Sequence, residues 1–182
     1  MKKILIGTHN KGKFKEIAYL ISKRYKKISP ISLKIKSPKE TGKSFISNSK
    51  LKAIFFSNYV DYPVISDDSG LCIKALKNKP GIYSARLAKK HGSFLNAMKF
   101  LLKKMKDKKD RSATFVCSLS LKKKNKRIIS VEGKLKGKIS NKIIGQKGFG
   151  YDPIFIPNKN KKTFGQMNKL RKIKMDHRFI AF

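Results

Sequence analysis

Two adjacent carboxylates stand in the run Ser66-Asp67-Asp68-Ser69-Gly70, directly after the apolar pair Val64-Ile65. The chain has ten acidic residues against forty-six basic ones, so an acid pair at the end of a strand is a poor candidate for a solvated face. Like charges side by side need a cation or hydrogen-bond donors to compensate them. Hard oxygen ligands at such a place suit Mg²⁺, which is held by one or two carboxylates together with substrate phosphates. The competing structural role is an Asp-Ser turn that caps a helix. A second set is Thr8-His9-Asn10-Lys11-Gly12-Lys13, between an apolar strand and an amphipathic helix. A helix N-terminus presents backbone N–H groups to anions. The GxxxxGK[ST] spacing of a P-loop is absent, and polar strand–helix turns are common. A third set is Gly148-Phe149-Gly150-Tyr151-Asp152-Pro153. Its glycines let backbone approach a ligand, Phe149 or Tyr151 can stack on a base, and Asp152 can orient a polar edge. An aromatic-anchored core loop would look the same. Last come Lys172 and His177-Arg178 on the terminal helix, where most lysines read as a solvated face while His177 and Arg178 offer directed donors beside an apolar stretch.

These residues need elements to hold them. Ile4-Leu5-Ile6 reads as a buried strand, and Phe14, Ile17, Ala18 and Ile21 recur with helical spacing. Residues 44 to 58 read as a helix capped by Ser44. Pro63 to Ser66 reads as a strand ending at the acid pair, Leu71 to Leu76 as extended, and Asn78 to Gly81 as a turn. Phe94, Ala97, Met98, Leu101, Leu102 and Met105 mark the clearest helix. Strict alternation from Ala113 to Leu121 predicts a half-buried strand, paired as a hairpin with a strand starting at Arg127. Ile154-Phe155-Ile156 is a further strand, and the chain turns helical from about Lys169. Strands and helices alternate with both crossover and hairpin connections. The expectation is an α/β fold with a mixed β-sheet and flanking helices, in one domain over 1–182.

Composition narrows the class. No stretch approaches the ~20 apolar residues of a membrane span. The start, Met1 to Gly7, is too short for a signal segment, which predicts a cytoplasmic protein. Cys72 and Cys117 lie far apart in apolar stretches and read as small hydrophobes in a reducing compartment. Zinc is a poor fit to so few soft ligands. The net charge of +36 raises nucleic-acid binding as an alternative. The lysines are spread over nearly every segment and no reading motif accompanies them, so at most weak, non-specific binding is expected. A pyrophosphatase for modified pyrimidine nucleotides is a further alternative.

In order and spacing, the segments Thr8 to Glu16 (TxNxxKxxE), Glu40-Thr41-Gly42, Ser66 to Leu71 (SDDSGL), Pro80 to Arg86 (PGIYSAR), Gly148 to Phe155 (GFGYDPIF) and Thr163-Phe164-Gly165 resemble the inosine/xanthosine triphosphate pyrophosphatase family over essentially the whole chain. The resemblance implies an elongated, two-lobed domain with a central cleft, usually a homodimer. It implies Mg²⁺-dependent hydrolysis of ITP, dITP and XTP to the monophosphate and pyrophosphate. It carries the catalytic and metal-binding role to Asp68, with Glu40 as a substitute for a second metal-binding acid that the family has one place earlier, and phosphate contacts to Thr8, His9, Asn10, Lys11, Gly12 and Lys13. Ser69, Phe149, Gly150, Tyr151, Asp152, Lys172, His177 and Arg178 take the remaining nucleotide contacts. Asp68 or Asp67 would orient or deprotonate the attacking water.

Three positions depart from the pattern. Lys39 stands where the family often has a second metal-binding acid. Ser44 to Ser49 replaces TFxENA, with Ser47 in the acid's place. Asp176 replaces the serine of the familiar SHR. A carboxylate there is expected to pair with His177 or Arg178 and to compete with the nucleotide, so that Asp176→Ser lowers the KM for ITP modestly.

Overall fold

Alternation and helical periodicity translate into a mixed sheet flanked by helices. The computed structural model describes residues 1–182. In chain order the elements are β1 (Lys2–Ile6), α1 (Lys11–Leu20), β2 (Tyr25–Ile28), α2 (Phe45–Ser57), β3 (Val64–Ile73), β4 (Lys79–Pro80), α3 (Ser84–Lys90), α4 (Phe94–Lys104), β5 (Ser112–Lys122), β6 (Ile129–Ile139), β7 (Phe155–Pro157), α5 (Lys169–Ile173) and α6 (His177–Ala181). The sheet has seven strands in the order β2-β1-β3-β5-β6-β7, with β4 on β3. β1 runs parallel to β2, pairing Leu5 with Ile28, and parallel to β3, pairing Ile6 with Ile65. β4 on β3 and β7 on β6 are antiparallel. No helix is long and apolar enough to cross a membrane.

The chain forms two compact units. Unit 1 comprises Met1–Asp68, Cys117–Gly133 and Arg178–Phe182; unit 2 comprises Ser69–Val116 and Lys134–His177. Each has its own core. In unit 1, Ile4 and Ile6 of β1 bury against Ile17 and Ile21 from α1, Ile65 of β3, and Cys117 and Leu119 of β5. Leu5, Phe56 and Val64 form a second cluster there. In unit 2, Leu71 and Ile73 meet Ala97, Met98, Leu101 and Met105 of α4, together with Phe155 and Phe164.

Several expectations change. The acid pair lies within one continuous strand, β3, because residues on both sides of it stay extended and paired. β5 is not half-buried through its middle: Phe115 to Ser120 are all buried, while Leu121 is exposed. The terminal helix is two short helices, α5 and α6, separated at Lys174 to Asp176. β2 and α3 carry too little apolar periodicity to be read in advance. Neither Cys72 nor Cys117 is in a disulfide; Cys117 is buried and Cys72 half-buried.

Candidate active site

Unit 1 collects the acids. α1 starts at Lys11 because the Asn10 side chain caps it, accepting the Lys13 N–H at 3.0 Å. Thr8 Oγ1 accepts the Asn10 N–H at 3.3 Å, and the His9 ring lies 2.9 Å from the Ile35 carbonyl. The loop read as a phosphate cradle is thus a capped helix start, with Lys11, Gly12 and Lys13 in its first turn. Lys13 projects to Asp67, with Nζ 3.0 Å from Oδ2.

Asp67 and Asp68 differ sharply. Asp67 is fully buried. Desolvation pushes its carboxyl up, but Lys13, Lys52 and Arg178 together outweigh this and hold it at about 2. Asp67 is therefore a counter-ion and a weak base. At Asp68, which is 4% exposed, burial prevails over the pull of Lys13 and Lys52, Glu40 adds its negative charge, and the carboxyl rises above its ordinary range. Asn48 Nδ2 donates to Asp68 Oδ2 at 3.0 Å, while its own Oδ1 accepts the Gly42 N–H at 2.8 Å. The Lys52 ammonium lies 2.7 Å from Glu40 Oε1. Burial favours the neutral amine of Lys52, but Asp67, Glu40 and Asp68 overcome it and keep the ammonium.

Asn48 and Lys52, both buried on α2, have no role assigned from sequence, although Asn48 keeps the asparagine of TFxENA. A strand-to-helix contact spanning twenty residues leaves no local signal. Ser47 does have a structural task where the family has an acid. Its Oγ accepts the Ser44 N–H at 2.9 Å while Ser44 Oγ accepts the Ser47 N–H at 3.1 Å, a capping box that starts α2. Lys39 is exposed. Glu16, the last residue of the TxNxxKxxE segment, is buried and binds the Arg178 guanidinium at 3.1 Å.

No three His, Cys, Asp or Glu side chains come together as a metal cluster. Asp68 with the nearby charge of Glu40 still fits a hard divalent ion. The negative charge of Glu40 raises the proton affinity of Asp68, so the two make a donor set that a cation stabilises, and Mg²⁺ takes its other ligands from water and phosphate.

Unit 2 collects the aromatic loop. Asp152 Oδ2 accepts the Phe149 N–H at 2.8 Å and lies 2.8 Å from Lys172 Nζ. Gly148 and Gly150 both have positive φ, which lets the loop wrap this carboxylate, and a Cβ at Gly148 would collide with it. Tyr151 corrects the sequence reading. Its ring is buried in the core, edge-on to Phe94, and its hydroxyl donates to the Ser84 carbonyl at 2.8 Å. Phe149, by contrast, is half-buried. Lys172 is 3% exposed, so it does not belong to a solvated face. Its ammonium lies 4.6 Å from the Phe149 ring centre. His177 stacks on Phe115 at 4.7 Å, within unit 2. Arg178 belongs to unit 1, so these sequence neighbours serve different clusters. Ser69, next to Asp68 on β3, is half-buried.

A family model described as "Ham1 family" matches residues 4–182. The chain belongs to the Ham1 family. Among its relatives, a dITP/XTP pyrophosphatase of Dictyoglomus thermophilum is 40% identical, over 98% of this chain and 90% of that protein. One of Caulobacter vibrioides is 38% identical, over 99% and 94%. The Ham1 protein of Staphylococcus aureus superposes with a TM-score of 0.87 at 35% identity, covering 99% of this chain and 94% of the other. That of Coxiella burnetii gives 0.88 at 30%, covering 100% and 94%. This Ham1 chain therefore shares its fold with solved members along nearly its whole length.

Proposed function

We propose that this protein hydrolyses non-standard purine nucleoside triphosphates (ITP, dITP and XTP) to the monophosphate and pyrophosphate, with Mg²⁺ as cofactor. The observation that carries the reading is the division of labour among the acids. Asp67 is neutralised by Lys13, Glu40 is held by Lys52, and Asp68 keeps a raised proton affinity beside a neutral amide. Asp68, with Glu40, is the set that would hold Mg²⁺, whose charge would neutralise phosphate oxygens and lower the proton affinity of bound water. Asp68 then orients the attacking water and takes its proton. Asp67 is excluded from that task by its low pKa.

The first-turn amides of α1, with Thr8, His9 and Asn10, receive the phosphates, and Lys13 adds charge while anchored on Asp67. Asn48 fixes the Asp68 carboxylate, and Lys52 offsets negative charge near it. For the base, Phe149 offers a stacking face, and Gly150, Tyr151 and Asp152 supply the loop around it. Ser69, Lys172, His177 and Arg178 complete the nucleotide contacts. Donors aimed at a 6-oxo group are left unpaired by the 6-amino group of adenine, and that mismatch gives the selectivity. Such an activity belongs with the nucleotide pool, so the reading places the protein in the cytoplasm. The reading includes a homodimer, as the family resemblance implies.

The deciding assay measures pyrophosphate against orthophosphate from ITP, dITP, XTP, GTP and ATP, with and without Mg²⁺. Pyrophosphate from the 6-oxo substrates with little from ATP is expected. Orthophosphate as the product, or indifference to the base, would refute the reading.

A further inference from the structure

Lys172 is the centre of a charge arrangement that the reaction itself does not require. Its ammonium is 2.8 Å from Asp152 and 4.0 Å from Asp176, one helical turn further along the chain. Asp152 and Asp176 are 2% and 1% exposed. Two carboxylates thus converge on one ammonium where water scarcely reaches. At 4.0 Å the Asp176 contact is beyond hydrogen-bond length, so it acts on Lys172 as a charge. Other groups stand near the cluster. The Phe149 N–H donates to Asp152, and the rings of Phe149 and Phe164 lie 4.6 and 5.5 Å from the ammonium. Burial raises the Tyr151 phenol above its ordinary range, so it stays neutral. The His177 ring stacks on Phe115, and the Arg178 guanidinium is engaged by Glu16.

We infer that Asp176 is a specificity-determining residue that turns the base site against purines carrying a negative charge on the ring. This rests on the reading above, in which Phe149 to Asp152 and Lys172 receive the base. Hypoxanthine keeps its ring proton at neutral pH. Xanthine has a second carbonyl, which acidifies a ring N–H, and the base is largely anionic near neutrality. A neutral 6-oxo purine meets Lys172 with its positive charge directed at the oxygen. An anionic one also meets the fields of Asp152 and Asp176, and in a poorly solvated site those fields are strong. The simpler role for Asp176 is local. It immediately precedes α6, where Asp and Ser both serve as N-caps. Capping accounts for either residue and does not choose between them, so Asp176→Ser preserves the helix start while removing the charge. Asp176→Asn removes the charge and keeps the shape.

The test is kcat/KM for XTP and for ITP with Mg²⁺ on the full-length wild type, Asp176→Asn and Asp176→Ser, across a pH series that starts below ionisation of the xanthine ring and stops short of ionisation of hypoxanthine. The XTP/ITP ratio cancels any pH dependence common to both substrates. In the wild type the ratio should fall as pH rises. In both variants ITP efficiency should rise by about twofold and XTP efficiency at high pH by about tenfold, with the three ratios converging at low pH. Wild-type binding of xanthosine and inosine monophosphates at the two pH extremes gives a readout that needs no variant. Xanthosine monophosphate should weaken at high pH and inosine monophosphate should not. If all three proteins hydrolyse both substrates with one common ratio profile, Asp176 has no such role and the base reading survives. If the wild type turns over neither substrate, the base reading falls and this inference falls with it.

Discussion

The two polar clusters use the same residue types to different ends. In unit 1, Asp67, Asp68 and Glu40 have different partners: a lysine on α1, an amide and a lysine on α2. Their proton affinities are thereby driven apart, Asp67 down to about 2 and Asp68 above its ordinary value. Acids split in this way can divide chemical roles between them. In unit 2, Asp152 and Asp176 share Lys172, packed against aromatic rings. That arrangement fixes a donor and sets a local field. On the proposed function, the first cluster serves phosphate chemistry and the second serves recognition.

Removing the poised acid should separate them most. Asp68→Asn is expected to reduce turnover about a thousandfold, while thermal stability holds or rises slightly because a desolvated charge has gone. Asp152→Asn should act mainly on KM and on the ITP/ATP ratio. Steady-state kinetics beside thermal melting on both variants tests the contrast. Equal losses of kcat would remove the distinction between the clusters.

Lys13→Met asks whether Asp67 is structural. It leaves a fully buried carboxylate without its nearest cation, a loss of roughly 3–5 kcal/mol. Denaturant unfolding at neutral pH should show this whether or not nucleotide is present. A change confined to KM would make Lys13 a phosphate ligand first.

Acid titration of the wild type probes the same pair with a smaller effect. The folded Asp67 carboxyl at about 2 lies below its ordinary value of 3.8, so on acidification the unfolded chain binds the proton first. The stabilisation is fully present above about pH 4 and is lost as pH falls toward about 2, amounting to about 2 kcal/mol. Charge repulsion across the chain adds to acid unfolding, so the diagnostic is the difference from Lys13→Met. That variant lacks the Lys13 attraction and should lose less stability over this window.

What the sequence disclosed follows the range of each interaction. Helices with a strong apolar stripe, such as Phe94 to Lys104, and strands with alternation, such as β5, declare themselves locally. Asn48 on Asp68 and Lys52 on Glu40 span 20 and 12 residues and do not. Burial of Lys172 was hidden because lysine is the commonest surface residue of this chain, and only the fold encloses this one. Tyr151 was read as a ligand because GFGYDP looks the same whether its second aromatic points to a base or to Ser84. The full run of β3 through its acids was missed because two aspartates argue against a strand until Lys13 and Asn48 are known to compensate them.

The smallest expected effect concerns Phe149. If unit 2 recognises the base, the half-buried ring of Phe149 supplies stacking area, and the ammonium 4.6 Å from its centre polarises that face. Phe149→Leu keeps an apolar side chain of similar bulk, so the Asp152 contact to the backbone N–H at residue 149 should persist. Stacking of a base on an aromatic ring is worth about 1–3 kcal/mol by truncation, and leucine retains part of that as ordinary apolar contact. The expected result is an increase in KM of about tenfold, shared by ITP and XTP, with kcat changed by less than about twofold. Inosine monophosphate binding should weaken by the same factor, while pyrophosphate binding should not change. A loss in kcat with KM unaltered would mean that Phe149 shapes the Lys172 cluster and does not touch the base, and recognition would then have to be sought among the other residues of unit 2.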